Sequence, residues 1–264
     1  MALIQCDFAS QALGVCTSIN VLLPQATPAQ IGMAGSAVRE TYPTLYLLHG
    51  LSDDHTTWLR RTSIERYVAS MGLAVVMPRV DRSWYTNMPH GMDYWTFVSE
   101  ELPQLCRHFF PLSPKREDTF VAGLSMGGYG AFKLALRKPE QFAAAASMSG
   151  TLDIAHHFKQ IQADDPWYRE WVDLFGTPEQ LAGSDEDVMA LATRAAASDG
   201  FKPALYQCCG SEDHRLEHNH RFRDHVDPLA LNLTYEEDPG YNHSWDYWDM
   251  AIQRVLAWLP LESA

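Results

Sequence analysis

Apolar runs of strand length alternate with longer amphipathic stretches along the chain. Two strand candidates open it, at residues 3–8 and 15–23. Residues 25–42, rich in proline and glycine, read as a loop. "TLYLLHG" (44–50) predicts a strand ending in a turn, and "SIERYVASMG" (63–72) a helix stopped by glycine. "LAVVMP" (73–78) is a buried strand, and 93–110 carries helical periodicity with Pro103 as a kink. "TFVAG" (119–123) predicts a strand, 126–138 a helix ahead of Pro139, and 142–150 another strand. Residues 151–200 pattern mostly as helix. Strands at 203–210 and 231–238 and an amphipathic helix at 245–259 close the chain.

Strands alternating with helices predict crossover units and a mostly parallel sheet covered on both faces. The 264 residues suffice for one α/β domain, 1–264, with 151–200 as a helical insertion. In such sheets ligands and active residues gather in the loops after the carboxyl ends of strands. A functional side chain is therefore expected just after a strand.

Charge and cysteine content narrow the partners. A formal net charge of -13 argues against nucleic acid or an anionic membrane surface, both of which want a basic face. No run approaches the ~18 apolar residues of a membrane span, and the first residues do not read as a signal peptide. Five irregularly spaced cysteines make no disulfide framework; Cys208 and Cys209 read as buried thiols on opposite faces of a strand. A cytoplasmic location is expected.

The densest chemical signal is "VAGLSMGGYGAFKLAL" (121–136). Gly123-Leu124-Ser125-Met126-Gly127 matches G-x-S-x-G between a predicted strand and a predicted helix. Such a turn lifts the serine oxygen above the sheet, and flanking side chains would clash with neighbouring strands. Amides at the helix start point at developing negative charge. A serine hydroxyl needs a base, and the base needs a carboxylate to fix its tautomer and stabilise its cation. In this architecture acid and base follow the serine in that order. His243, in the loop after the last strand, is the candidate base. Asp213 is the candidate acid, with Glu212 as fallback; Asp238 and Asp246 are closer to His243 in sequence, but Asp246 falls on the final helix. His214, His218, His220 and His225 invite a metal reading, but Arg215, Arg221 and Arg223 would repel a cation, so a solvated helix and no metal are expected. The oxyanion needs two donors. These are assigned to the backbone amides of Met126 and Leu51, with Ser52 as the neighbouring alternative. Trp58, Trp84 and Tyr85 follow strands and are read either as walls of a substrate pocket or as packing under the insertion.

Residues 46–67, the segment "SWYTNM" with "DYWTFVSEELPQLCRHFFP", the serine turn, "LFGTPEQLAGS", "CCGSEDHRL" and "HSWDYWDMAIQRVLAWL" together resemble the esterase D family of α/β-hydrolases. Within it the chain is most similar to short-chain tributyrin or acetyl esterases. The resemblance spans nearly the whole chain. It implies an α/β-hydrolase fold, a triad on Ser125, Asp213 and His243, oxyanion amides at Leu51 and Met126, small-molecule ester substrates with short acyl groups, and no cofactor. The family includes S-formylglutathione hydrolases, which usually differ where this chain has "DRSWYTNMPHGMDYW". Thioester hydrolysis and acyl transfer are the alternatives within the chemistry; a non-catalytic binding protein on the same fold is the alternative outside it. The closing helix and surface aromatics are candidates for self-association into a homo-oligomer.

Overall fold

The computed structural model describes residues 1–27, 31–32, 35 and 39–261; part of the predicted 25–42 loop therefore lies outside the described residues. Eight strands form one sheet: β1 (Ala2–Ser10), β2 (Val15–Leu23), β3 (Thr44–Leu48), β4 (Ala74–Pro78), β5 (Thr119–Leu124), β6 (Ala144–Met148), β7 (Ala204–Gly210) and β8 (Leu233–Asp238). Their spatial order is β1-β2-β4-β3-β5-β6-β7-β8. The β1–β2 and β2–β4 pairs are antiparallel, and every pair from β4 through β3 to β8 is parallel. Residues 2–9 of β1 alternate between half-buried and exposed, as an edge strand with one wet face must. β3, β4, β5 and β6 are buried at every position, which matches their continuous apolar runs.

Helices cover both faces. In chain order they are α1 (Thr57–Arg61), α2 (Ile64–Val68), α3 (Tyr94–Thr96), α4 (Leu102–Phe109), α5 (Met126–Arg137), α6 (Ile154–Gln160), α7 (Tyr168–Phe175), α8 (Pro178–Leu181), α9 (Val188–Ala197), α10 (Leu216–Val226) and α11 (Trp245–Trp258). α5 packs in one apolar layer with α6, α7 and α9, while α2 and α11 pack in the layer on the other face. The predicted kink at Pro103 is resolved differently. A π-helical stretch, Phe97–Glu101, joins α3 to α4, and Pro103 follows in the first turn of α4, where its missing amide is least costly. Cys208 and Cys209 are both buried because the sheet is covered on both sides.

The insertion at 151–200 carries α6 to α9 and is tied to the central helix. Lys133 of α5 is fully buried. It donates to the Tyr85 carbonyl (2.7 Å) and to Thr86 Oγ1 (2.8 Å), and it pairs with Glu186 of the insertion. Tyr129 on the same helix donates to the Glu186 carbonyl at 2.8 Å. A buried cation without such partners would be strongly destabilising. The pair ties the insertion to α5. Among the described residues, no helix is long and apolar enough to cross a membrane.

Candidate active site

β5 runs directly into Ser125, whose φ of 53° and ψ of -115° place a non-glycine residue in a sparsely populated region. The surroundings hold this strain. The Ser125 amide donates to the Met148 carbonyl of β6 at 2.9 Å, and its carbonyl accepts from Tyr129 (3.1 Å) and Thr151 (3.3 Å). The glycines answer to close approaches of neighbouring backbone and side chains. A Cβ on Gly127 would stand 2.6 Å from the carbonyl oxygens of both Leu48 and His49. On Gly128 it would lie 2.6 Å from Ser147 Oγ, and on Gly130 it would run into the Tyr85 ring. The turn is compressed against β3, β6 and the Tyr85 loop, and only the lack of side chains allows it.

Asp213 and His243 arrive from the ends of the next strands. His243, between β8 and α11, has Nδ1 2.9 Å from both carboxylate oxygens of Asp213 and Nε2 3.1 Å from Ser125 Oγ. With Nδ1–H donating to the carboxylate, Nε2 is free to accept the serine proton, a tautomer assigned from its partners. The Asp213 side chain is sealed from solvent, and the Arg215 amide donates to its Oδ1 at 2.8 Å. Burial alone would push this carboxyl up. The hydrogen bond and charge of His243, the Arg215 amide and the Ser149 hydroxyl outweigh it and hold the group below the usual aspartate range. Glu212 is exposed, and its amide bonds the Tyr241 carbonyl. Asp238 is taken by Arg254 and Tyr247, and Asp246 is exposed in the first turn of α11. The structure therefore brings Ser125, Asp213 and His243 together and leaves the other carboxylates aside.

Three neighbours of this relay were not legible in the sequence. The Trp248 ring meets the His243 ring edge-on, centroids 4.8 Å apart, and its Nε1–H donates to Ser149 Oγ at 3.1 Å. Ser149 follows β6 in a positive-φ conformation (52°), with its amide bonded to the Cys208 carbonyl. His214 lies against the other side of the relay, 4.5 Å from the His243 ring centroid. Its proximity makes Asp213, His214 and His243 a compact trio of metal-capable groups, but both Asp213 oxygens already face His243 Nδ1. His214, His218, His220 and His225 point to different partners. His218 is half-buried rather than solvated, His220 faces Glu237, and His225 reaches Thr193 and the Met189 carbonyl.

Met126 opens α5, and Leu51 lies in the turn after β3. Among the described residues, neither backbone amide has a hydrogen-bond partner within the protein. The turn that carries Leu51 is fixed by His49. Its Nδ1–H donates to the Gly50 carbonyl (2.7 Å), its Nε2 accepts from the Val80 amide (3.0 Å), and its carbonyl accepts from Tyr85 Oη (2.9 Å). Burial pushes the imidazole pKa down, so the ring is neutral and keeps one defined tautomer.

A cavity of about 270 Å³ opens beside Leu51, lined also by Trp84, His157, Ile161, Trp171 and Arg215. Trp84, itself buried, stands on the wall of this cavity. Trp58 and Tyr85 are not among its lining residues; both are at most 1% exposed and pack in the core. Trp58 donates to the Leu48 carbonyl and stacks edge-on against Trp245, while Tyr85 fills the space left by Gly130. The insertion supplies His157, Ile161 and Trp171, so α6 and α7 close the cavity from above. A larger cavity of about 540 Å³ shares only Arg82 and Glu170 with it; Ser125, Asp213 and His243 line neither, and the smaller one is the cavity that reaches Leu51 and Arg215, next to the relay in the chain. The bidentate Arg82–Glu170 pair (2.9 and 2.7 Å) lines both cavities.

Comparison with known proteins agrees with this architecture. Residues 10–259 match the Esterase family model. The chain is 32% identical over 266 residues to an acetyl esterase of Caldicellulosiruptor saccharolyticus, covering 98% of each. It superposes on FphF, a fluorophosphonate-binding serine hydrolase of Staphylococcus aureus, with a TM-score of 0.86 and 34% identity over 99% of both chains. An S-formylglutathione hydrolase, FrmB, from the same organism gives 0.83 and 35% over 98% of both.

Proposed function

Because this chain belongs to the Esterase family and is a carboxylic ester hydrolase of the α/β-hydrolase fold, we propose that it cleaves short-acyl esters through a covalent acyl-enzyme on Ser125. The observation that carries the proposal is the unbroken relay from Ser125 Oγ through His243 to Asp213. Ser125 attacks the ester carbonyl as His243 Nε2 takes its proton, and Asp213 stabilises the resulting imidazolium. The amides of Leu51 and Met126 receive the negative charge that develops on the carbonyl oxygen. Collapse of the tetrahedral intermediate breaks the ester C–O bond, and His243 returns its proton to the departing alcohol. Water, deprotonated by His243, then attacks the acyl carbonyl and releases the acid and free Ser125.

Short acyl groups suit the site because the cavity beside Leu51 is small and is walled by Trp84 and Trp171, which pack against each other at a centroid distance of 4.9 Å. The acetyl esterase relative supports the same choice. The likeness to the S. aureus S-formylglutathione hydrolase supports a second reading, in which small thioesters use the same relay. All five cysteines are free thiols, which supports the proposed cytoplasmic location.

A panel of p-nitrophenyl esters, with S-formylglutathione added, tests the substrate range. Specificity constants are expected to peak between acetate and butyrate and to fall by roughly tenfold or more at octanoate, where added methylenes exceed the cavity. A constant that rises steadily to decanoate would refute the short-acyl assignment. A thioester constant far above every ester would favour the second reading.

A further inference from the structure

We propose that Arg215 is a recognition residue for a carboxylate carried by the ester substrate. This rests on the esterase reading above and specifies the kind of ester the site selects. Arg215 occupies the short turn between Asp213 and α10. Its backbone amide holds Asp213 (2.8 Å), while its side chain lines the cavity that also contains Leu51 and Trp84. One residue therefore links the relay to the space in which the substrate would sit.

The guanidinium is only partly exposed, yet it lacks an acidic partner. Among the described residues no carboxylate forms an ion pair with it, and its Nε–H has no hydrogen-bond partner. Its Nη1 reaches only His218 Nε2, at a long 3.4 Å. The nearby acids are engaged elsewhere. Asp213 faces His243, Glu170 is held at both oxygens by Arg82, Asp165 accepts from the Trp167 amide, and Asp153 lies against Arg221. A largely buried cation with unused donors carries a desolvation cost that a ligand can offset.

The surroundings favour a carboxylate over a neutral group. The guanidinium offers a rigid planar fork that matches two carboxylate oxygens. His157 lines the same cavity and His218 adjoins the guanidinium, their rings 5.2 Å apart. Burial, and after it the charge of Arg215, push their pKa values down to about 4 and about 3. Both imidazoles are therefore neutral at neutral pH and leave Arg215 as the cation of this corner. His218 Nδ1 is a second buried polar atom without a protein partner. Across the cavity, Arg82 is neutralised by Glu170 and lies over the Trp167 ring at 4.4 Å.

The test compares anionic and neutral esters of matched shape. p-Nitrophenyl hemisuccinate against p-nitrophenyl butyrate places the carboxylate on the acyl side. 4-Acetoxybenzoate against methyl 4-acetoxybenzoate places it on the alcohol side. The readout is the ratio of kcat/KM, anionic over neutral, in wild type, Arg215→Gln and Arg215→Lys. In at least one pair Arg215→Gln is expected to lower that ratio by about 10- to 100-fold, chiefly through KM, as loss of a charge-assisted hydrogen bond would. Arg215→Lys retains the charge without the fork and is expected to fall between. Should neither variant fold, wild-type inhibition is expected to be at least tenfold tighter by 4-hydroxybenzoate than by 4-hydroxybenzamide, or by succinate than by succinamate. A purely structural Arg215 would slow both members of each pair equally, and unchanged ratios in both ester pairs, or equal inhibition within both analogue pairs, would overturn the proposal. Turnover of the neutral esters by wild type reads the underlying esterase chemistry separately.

Discussion

Replacing Ser125 by alanine is expected to lower turnover of p-nitrophenyl acetate by about four to six orders of magnitude while the protein stays folded. The size of the effect follows from the proposed covalent route. Without Oγ no acyl-enzyme forms, and His243 loses the group it faces at 3.1 Å. Only the proposed oxyanion amides and substrate positioning would remain, and these supply a weak residual catalysis. The fold should survive because the backbone contacts that hold residue 125, to Met148, Tyr129 and Thr151, are all made by main-chain atoms. Alanine at this positive φ has a cost similar to that of serine, since both carry a Cβ. Steady-state kinetics with an unfolding curve from circular dichroism would check both halves. Retention of more than about a tenth of wild-type activity in a fully folded variant would not fit the mechanism.

Gly127→Ala is expected to be strongly disruptive. The added carbon would stand 2.6 Å from two carbonyl oxygens and 2.8 Å from the Leu48 carbonyl carbon. These are backbone atoms of β3 and of the turn after it, so no side chain can swing away. Either the start of α5 lifts from the sheet or β3 shifts. A loss of roughly 3 kcal/mol or more is expected, the range typical of forced overpacking. Activity should fall further than stability explains, because the same movement separates the amides of Leu51 and Met126. Urea unfolding gives the stability loss, and kcat at a temperature where the variant is fully folded gives the catalytic loss. A variant with wild-type stability and wild-type kcat would show that the turn has slack the distances deny.

The sequence carried the parts of this site that depend on chain order. Ser125 stood out as a candidate because a glycine-flanked serine lies between a strand and a helix, and the rule that functional groups sit after strands picked out Asp213 and His243, which the structure places within hydrogen-bond reach of one another. Strand positions were legible because short continuous apolar runs bounded by turn residues and alternating with amphipathic stretches fit central strands of a sheet covered on both faces. What depends on contacts across the fold was not legible. Trp58, Trp84 and Tyr85 have the same local signature, an aromatic soon after a strand. Only the packing shows that Trp58 lies in the layer with α11 and that Tyr85 fills the hollow above Gly130, while Trp84 reaches the cavity. Periodicity could not foresee the π-helical stretch before Pro103, and strand alternation could not order the sheet as β2-β4-β3-β5. Arg215 looked like one basic residue in a basic stretch. Its importance lies in which acids do not reach it, and that is a property of the assembled chain.

The acylated serine tests the central claim most directly. Wild-type protein, acid-quenched during turnover of p-nitrophenyl acetate and digested, is analysed by mass spectrometry for one acetyl group, beside a sample treated with a fluorophosphonate. The account predicts both modifications on the peptide that contains Ser125, at one site per chain, and neither in Ser125→Ala. Modification at a different residue, or full turnover with Ser125 unmodified by the fluorophosphonate, would contradict it.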